Sequence, residues 1–187
     1  MTPLYQVIKK NRTDLNPIWI MRQAGRYLPE FREIRKNNPN FINLCLNEKL
    51  SAEITLQPLR RFNFDAGIIF SDILMLPYGL GQNVKFEKNF GPILNKLNLN
   101  EIDKIDESYF VKKINSVYKA IKIVSEENIL KNKNLIGFIG APWTLLVYMI
   151  NQQSPKKEIK KDFFKDTVLL NNTLLIIERF LKIHIKY

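Results

Sequence analysis

Two arginines four residues apart, Arg22 and Arg26, flank Gln23-Ala24-Gly25 and follow the apolar run Pro17-Ile18-Trp19-Ile20. Guanidinium groups are planar, always charged forks that suit carboxylates, and Ala24 and Gly25 keep the backbone low enough for a large ligand to approach. This spacing predicts a loop that receives a bulky anion. It also suits a surface turn whose arginines pair with Glu30 and Glu33, and the loop's chemistry alone leaves both open. Two further groups follow apolar runs: Ser71-Asp72 after Ala66 to Phe70, and Ala141-Pro142-Trp143, leading on to Tyr148, after Leu135 to Gly140. Asp72 reads equally as a helix N-cap or loop acid. The single histidine, His184, stands between Lys182 and Lys186 and is expected to be an exposed side chain. One Cys and one His cannot assemble the usual metal sites, and Gly79-Leu80-Gly81 lacks the remaining residues of a phosphate loop. Neither a metal nor a cofactor is expected.

The elements that must position these groups alternate. Residues 17–20, 66–70 and 135–140 read as buried strands, with a shorter strand around Val84 to Phe86 inside a loop punctuated by Pro77, Gly79, Gly81, Gly91 and Pro92. Helices are expected over Phe31–Lys36, from the Asn47 N-cap through Leu50, Ile54, Leu59 and Phe62 with a kink at Pro58, and from Ser108 through Phe110, Ile114, Val117, Ile121 and Val124. Pro142 suits a helix start, and a basic amphipathic helix carries Phe163, Phe164, Val168, Leu174, Ile177 and Leu181. Apolar strands separated by helices, with no hairpin signal between them, make a parallel sheet under outer helices. The pattern alone does not separate a doubly wound sheet from a (β/α)8 barrel. In a barrel, functional groups gather at the carboxyl ends of strands, and all three groups, Arg22 with Arg26, Ser71-Asp72 and Ala141-Pro142-Trp143 leading to Tyr148, follow such ends here.

The 187 residues suffice for one domain with a sizeable core, and 45% hydrophobic content is that of globular proteins. No composition shift divides the chain, no secretory signal opens it, and no apolar run approaches ~18 residues, so a membrane span is not expected. Cys45 is expected to pack as a small hydrophobe in a reducing compartment, the cytoplasm. The net charge of +11 raises a nucleic-acid-binding module as an alternative. Its lysines, however, are scattered among asparagines, as in Lys131-Asn132-Lys133-Asn134, without an aromatic-basic strand or recognition helix.

Four segments in order, Met21 to Glu30, Thr55-Leu56-Gln57-Pro58-Leu59-Arg60-Arg61-Phe62, Ile68 to Leu74, and Ile136 to Leu145, resemble the uroporphyrinogen decarboxylase family. The resemblance is close over residues 15 to 150 and looser beyond. It implies a (β/α)8 TIM barrel, of which this chain holds the amino-terminal part as a single partial domain, 1–187. It also implies cofactor-independent conversion of uroporphyrinogen III to coproporphyrinogen III, with loss of four acetate carboxyl groups as CO2. Arg22, Gln23, Ala24, Gly25 and Arg26 match the segment that holds substrate carboxylates, with Arg22 the match for proton donation or for stabilising the departing carboxylate. Asp72 matches the aspartate facing the pyrrole N–H groups, and Tyr148 matches a tyrosine near the substrate or Asp72. A homodimer is implied as well.

The chain also departs from that pattern. Asn151-Gln152-Gln153-Ser154-Pro155 stands where the family has an acid and glycine-rich residues. The later strands, which bring a serine or threonine and a histidine to the substrate, lie beyond Tyr187, and His184 does not match that histidine. Three strands cannot close a barrel. The expectation is therefore a catalytic half completed by a second chain, or an inactive truncated remnant.

Overall fold

Where apolar runs alternate with capped, helical-period stretches, the chain folds into short strands between helices. The computed structural model describes residues 1–21, 24–154, 159 and 161–187, with Lys161 described by its backbone alone. Its elements are α1 (Pro3–Lys10), α2 (Pro29–Asn37), α3 (Phe41–Cys45), α4 (Glu48–Arg61), β1 (Ala66–Ile68), α5 (Met75–Gly79), β2 (Val84–Glu87), β3 (Gly91–Leu94), α6 (Leu99–Ile102), α7 (Glu107–Ser125), β4 (Asn134–Ile136), α8 (Pro142–Asn151) and α9 (Thr167–Lys186). Short 3-10 turns lie at Asn128–Leu130 and Lys161–Lys165. The chain divides into two compact units: residues 1–39, 43–71 and 116–138, and residues 40–42, 72–115 and 139–187.

In the first unit, Asn47 caps α4 by accepting the Leu50 amide at 3.1 Å, which satisfies one of the donors a helix leaves unpaired at its start. The helix continues through Pro58 to Arg61, so the proline does not end it. Its buried face supplies Ala52, Leu56 and Leu59, which pack with Phe64, Ile69, Ala120, Val124 and Leu130 into one apolar cluster. Beneath them β1 pairs in parallel with β4, Ala66 opposite Asn134 and Ile68 opposite Ile136. Parallel strands joined through helices are the unit of an α/β fold.

Residues 17–20 correct the sequence reading. They form no strand, and Ile18, Trp19 and Ile20 are 59, 40 and 51% exposed. The segment lies extended beside the start of β1, where Ile18 donates to Asp65 Oδ2 at 2.7 Å and accepts the Asp65 amide at 2.8 Å. An apolar run becomes a buried strand only when both a ladder and a cover exist for it, and here its outward side chains have no cover. Both core strands are also shorter than their apolar runs. Past Ile136 the chain leaves the ladder, and Phe138 and Ile139 are about two-fifths exposed.

In the second unit, β2 and β3 form an antiparallel hairpin in place of the single short strand expected. Its turn uses Asn89 at φ 70° and Gly91 at φ 87°, residue types that tolerate the left-handed region. Phe110 is fully buried, its ring 4.9 Å from that of Phe180 on α9. A Cβ on Gly79 would come within 2.5 Å of the Phe110 ring, so α5 approaches α7 only because that position lacks a side chain. Pro142 starts α8 as the sequence predicts, and Asp166 caps α9 through the Leu169 amide at 2.9 Å. Ile177 and Leu181 are buried, whereas Val168 points outward. Within α7, Ile114 departs from helical geometry at φ −114°, ψ 15°.

His184 also differs from expectation. It is half-buried, edge-on to the Phe110 ring at 6.3 Å, and its burial lowers its pKa below the ordinary value. The reason is register. His184 lies four residues after Phe180 and seven after Ile177, on the stripe of α9 that turns inward.

Candidate functional site

The arginine loop is built by the turn that starts α2. Gly25 is buried and its carbonyl accepts the Leu28 amide at 3.0 Å, after which Pro29 opens the helix. Tyr27 folds back over Gly25, so that a Cβ there would collide with the Tyr27 ring. Leu28 and Phe31 anchor the turn in the core, and Phe31 meets the Phe70 ring edge-on at 6.0 Å. The loop is thereby tied to the carboxyl end of β1. Arg26 is exposed and takes part in none of the salt bridges formed among the described residues. Ala24 is half-buried beside it, while Arg22 and Gln23 lie outside the described residues.

The alternative of local pairing now has a partner assigned. Glu30 binds the guanidinium of Arg61 at 2.6 and 2.9 Å, and that hydrogen-bonded contact holds the Glu30 carboxyl below its usual range. A bidentate fork occupies both carboxylate oxygens, so Glu30 is committed to Arg61.

Asp72 opens the turn into α5. Its Oδ1 accepts the Leu74 amide at 2.8 Å and its carbonyl accepts the Met75 amide at 3.1 Å. The local role read from sequence, an acid capping the turn after a strand, is therefore present in the structure. It uses one oxygen, and Oδ2 has no hydrogen bond among the described residues. Burial pushes the Asp72 carboxyl up from the ordinary value, with the Leu74 amide opposing it. No arginine among the described residues acts on it. The next residue, Ile73, meets Gly140 at the far end of the third apolar run, where a Cβ would lie 3.2 Å from Ile73 Cβ and 2.7 Å from Leu145 Cδ2. That close approach brings the Asp72 turn beside the start of α8.

Tyr148 is half-buried on α8, in the same unit as Asp72, and its carbonyl accepts the Gln152 amide at 2.9 Å. The arginine loop and Ser71 belong to the other unit. Around the start of α8, Trp143 is 52% exposed and meets the Phe164 ring at 5.3 Å, tilted by 41°, so it lies at the surface and not in the core. At the far end of the helix, Gln152 takes a left-handed conformation, φ 63°. A cavity of about 440 Å³ opens there between Lys96, Leu99, Ile150, Gln152 and Phe163. None of the predicted site residues among the described ones lines it.

The family profile described as uroporphyrinogen decarboxylase (URO-D) matches residues 1–187. The chain belongs to the uroporphyrinogen decarboxylase family. It is 42% identical over 181 residues to the uroporphyrinogen decarboxylase of Campylobacter jejuni subsp. jejuni serotype O:23/36 (strain 81-176), covering 95% of this chain and 53% of that protein. The Rickettsia canadensis (strain McKiel) and Chelativorans sp. (strain BNC1) proteins of the same description are 45% and 48% identical, over 89% and 72% of this chain and 49% and 39% of theirs. The chain thus spans about half the length of the curated relatives it matches. A solved structure of a methyltransferase from Methanosarcina mazei superposes with a TM-score of 0.69 at 17% identity, over 94% of this chain and 51% of that one, a likeness of fold alone.

Membership of the uroporphyrinogen decarboxylase family makes the architecture a (β/α)8 barrel, of which this chain holds a part. Two residues of this part escaped the sequence reading. Ser51 and Thr55 on α4 are buried and bond to the backbone of Phe70, just before Ser71-Asp72. Their spacing of four residues on a capped helix was a readable signal that both face one way, though not what they face. Among the described residues no group of three or more His, Cys, Asp or Glu is arranged to hold a metal ion, and no helix is long and apolar enough to cross a membrane.

Proposed function

We propose that this chain supplies part of the active site of a uroporphyrinogen decarboxylase, converting uroporphyrinogen III to coproporphyrinogen III by removing four acetate carboxyl groups as CO2. What carries the reading is Asp72. It is a half-buried carboxylate at a strand end, with one oxygen fixed in a turn and the other without a hydrogen bond among the described residues, in a chain whose whole length matches the family.

The chemistry needs a fixed anion and no electron-accepting coenzyme. A proton added to a pyrrole ring carbon makes a cationic, iminium-like ring. The bond from the acetate methylene to its carboxylate then breaks, CO2 leaves, and the electron pair neutralises the ring. Protonation of the resulting exocyclic methylene and loss of the ring-carbon proton give the methyl group, with one proton consumed per CO2. A carboxylate held beside the pyrrole nitrogens lowers the barrier by stabilising the cation, an effect on the order of several kcal/mol in a preorganised site. Burial raises the Asp72 pKa, so its ionised form gains most when that cation forms.

In this reading Arg26, exposed and in no salt bridge among the described residues, binds a substrate carboxylate. Arg22, with Gln23, Ala24 and Gly25, completes that loop, and the Arg22 guanidinium stabilises the departing carboxylate or donates the proton. Tyr148 hydrogen-bonds near Asp72 or the substrate. Residues 1–187 act as one partial barrel domain, in the cytoplasm, within a homodimer. The exposed Ile18, Trp19, Ile20 and Met21 suit contact with the strands that complete the barrel, since apolar strand-like edges invite pairing.

The test is decarboxylation of uroporphyrinogen under anaerobic, reducing conditions, with the chain alone and with a polypeptide that supplies the remaining barrel strands. Turnover in the mixture supports a competent part-site. A folded complex that yields no CO2 would leave the motifs as ancestry without activity.

A further inference from the structure

The end of β1 is held by a closed ring of hydrogen bonds from one helix face. The Phe70 amide donates to Thr55 Oγ1 at 2.8 Å, Thr55 Oγ1 donates to the Ser51 carbonyl at 2.8 Å, and Ser51 Oγ donates to the Phe70 carbonyl at 2.6 Å. Ser51 and Thr55 are at most 1% exposed, and Phe70 is buried. Burying a hydroxyl costs free energy unless its bonds are made, and the buried neighbours Ala52, Ile54, Leu56 and Leu59 on α4 are aliphatic. A purely packing role would be met by Ala and Val. The hydroxyls find their purpose one residue past the ladder. Among the described residues the last bond between β1 and β4 runs from the Ile69 amide to the Ile136 carbonyl, and Phe70, the next residue, is still buried.

We propose that Ser51 and Thr55 are positioning residues, which bond the carbonyl and amide of Phe70 from the helix side so that the chain leaves the strand in a single direction and delivers the Asp72 carboxylate two residues later. Thr55 does so with little loss of its own helix geometry. A helical threonine commonly returns its hydroxyl to the carbonyl four residues back, and a lone pair then remains for the Phe70 amide. Two hydroxyls thus satisfy both the donor and the acceptor of one residue, which fixes the orientation of its peptide planes as well as its position. The catalytic consequence rests on the role given to Asp72 in the proposed function; the geometric one does not.

The test compares Thr55→Val, Thr55→Ser and Ser51→Ala in the full chain, with amide hydrogen exchange and a carbon-13 titration of the Asp72 carboxyl as readouts. Thr55→Val is expected to speed exchange at Phe70 and Ser71 at least tenfold and to move the Asp72 titration back toward the ordinary aspartate range. Thr55→Ser restores both. Ser51→Ala shifts both in the same direction by less, and decides the matter if Thr55→Val does not fold. In the complemented enzyme Thr55→Val lowers kcat with KM unchanged. A folded variant with unaltered exchange at Phe70 and an unaltered Asp72 titration overturns the proposal. Absence of turnover in the complemented wild type would instead count against the decarboxylase reading, while exchange and titration still judge the ring.

Discussion

Replacing Asp72 by Asn and by Ala separates two roles that one side chain holds. Oδ1 accepts the Leu74 amide at 2.8 Å, and an asparagine carbonyl oxygen can make the same bond. Alanine cannot, and loss of such a side-chain acceptor at a helix entry costs about 1 kcal/mol. The charge works in the other direction. Burial raises the folded-state pKa of Asp72 above the ordinary value of 3.8, so the folded protein binds the proton more tightly than the unfolded chain. The resulting stabilisation is present below pH 3.8 and is lost as pH rises through the raised value, leaving an ionised carboxylate that costs stability at neutral pH.

Asp72→Asn, which cannot ionise, should therefore be at least as stable as the wild type at pH 7, and Asp72→Ala less stable than Asp72→Asn by about 1 kcal/mol. Both should reduce turnover of the complemented enzyme by roughly a hundred- to a thousandfold, the scale of removing one preorganised electrostatic group. Urea unfolding of the chain and initial rates of CO2 release under anaerobic conditions measure the two effects separately. Turnover of Asp72→Asn within threefold of the wild type would refute the assignment of the charge. Equal stabilities of the Asn and Ala variants would refute the structural role of Oδ1.

Arg26→Gln should leave the melting temperature unchanged, because the side chain is exposed and in none of the salt bridges among the described residues. It should raise KM for uroporphyrinogen by roughly ten- to a hundredfold, the worth of one charged hydrogen bond, as read from steady-state kinetics of the complemented enzyme. Gln152→Gly relieves a left-handed residue at φ 63° and should raise stability by about 0.5–1 kcal/mol, or roughly 1–4 °C in a thermal melt. For His184 the folded pKa lies below 6.5, so the unfolded state takes up the proton first. Stability should fall as pH drops from 6.5 toward that lowered value, and His184→Gln should flatten the slope in urea midpoints measured between pH 5 and 7.5.

What was legible in this sequence follows the range of the interactions involved. The Asn47 cap, the Pro142 start and the periodicity of Phe110, Ile114, Val117 and Val124 are local, and each appears where expected. The hairpin was half-legible, since Asn89 and Gly91 at its turn are residues that accept positive φ, but only the first of its strands was read. Residues 17–20 failed for a different reason. Their apolar run matches that of a buried strand, yet a strand is defined by a ladder along its flank, and the segment lies beside β1 through Ile18, whose amide and carbonyl both bond to Asp65. Asp72 shows the same limit at the site. Its position after an apolar run was readable, but the sign of its pKa shift depends on burial and on which charges face it, and neither is encoded within a few residues. The Ser51, Thr55 and Phe70 ring is the extreme case, joining positions 15 and 19 residues apart through hydroxyls that local rules assign to capping or to solvent. A buried hydroxyl pair one helical turn apart, on a helix followed by a site-bearing strand, is the pattern that a reading of related barrels should look for, because its cost requires a partner that only tertiary structure supplies.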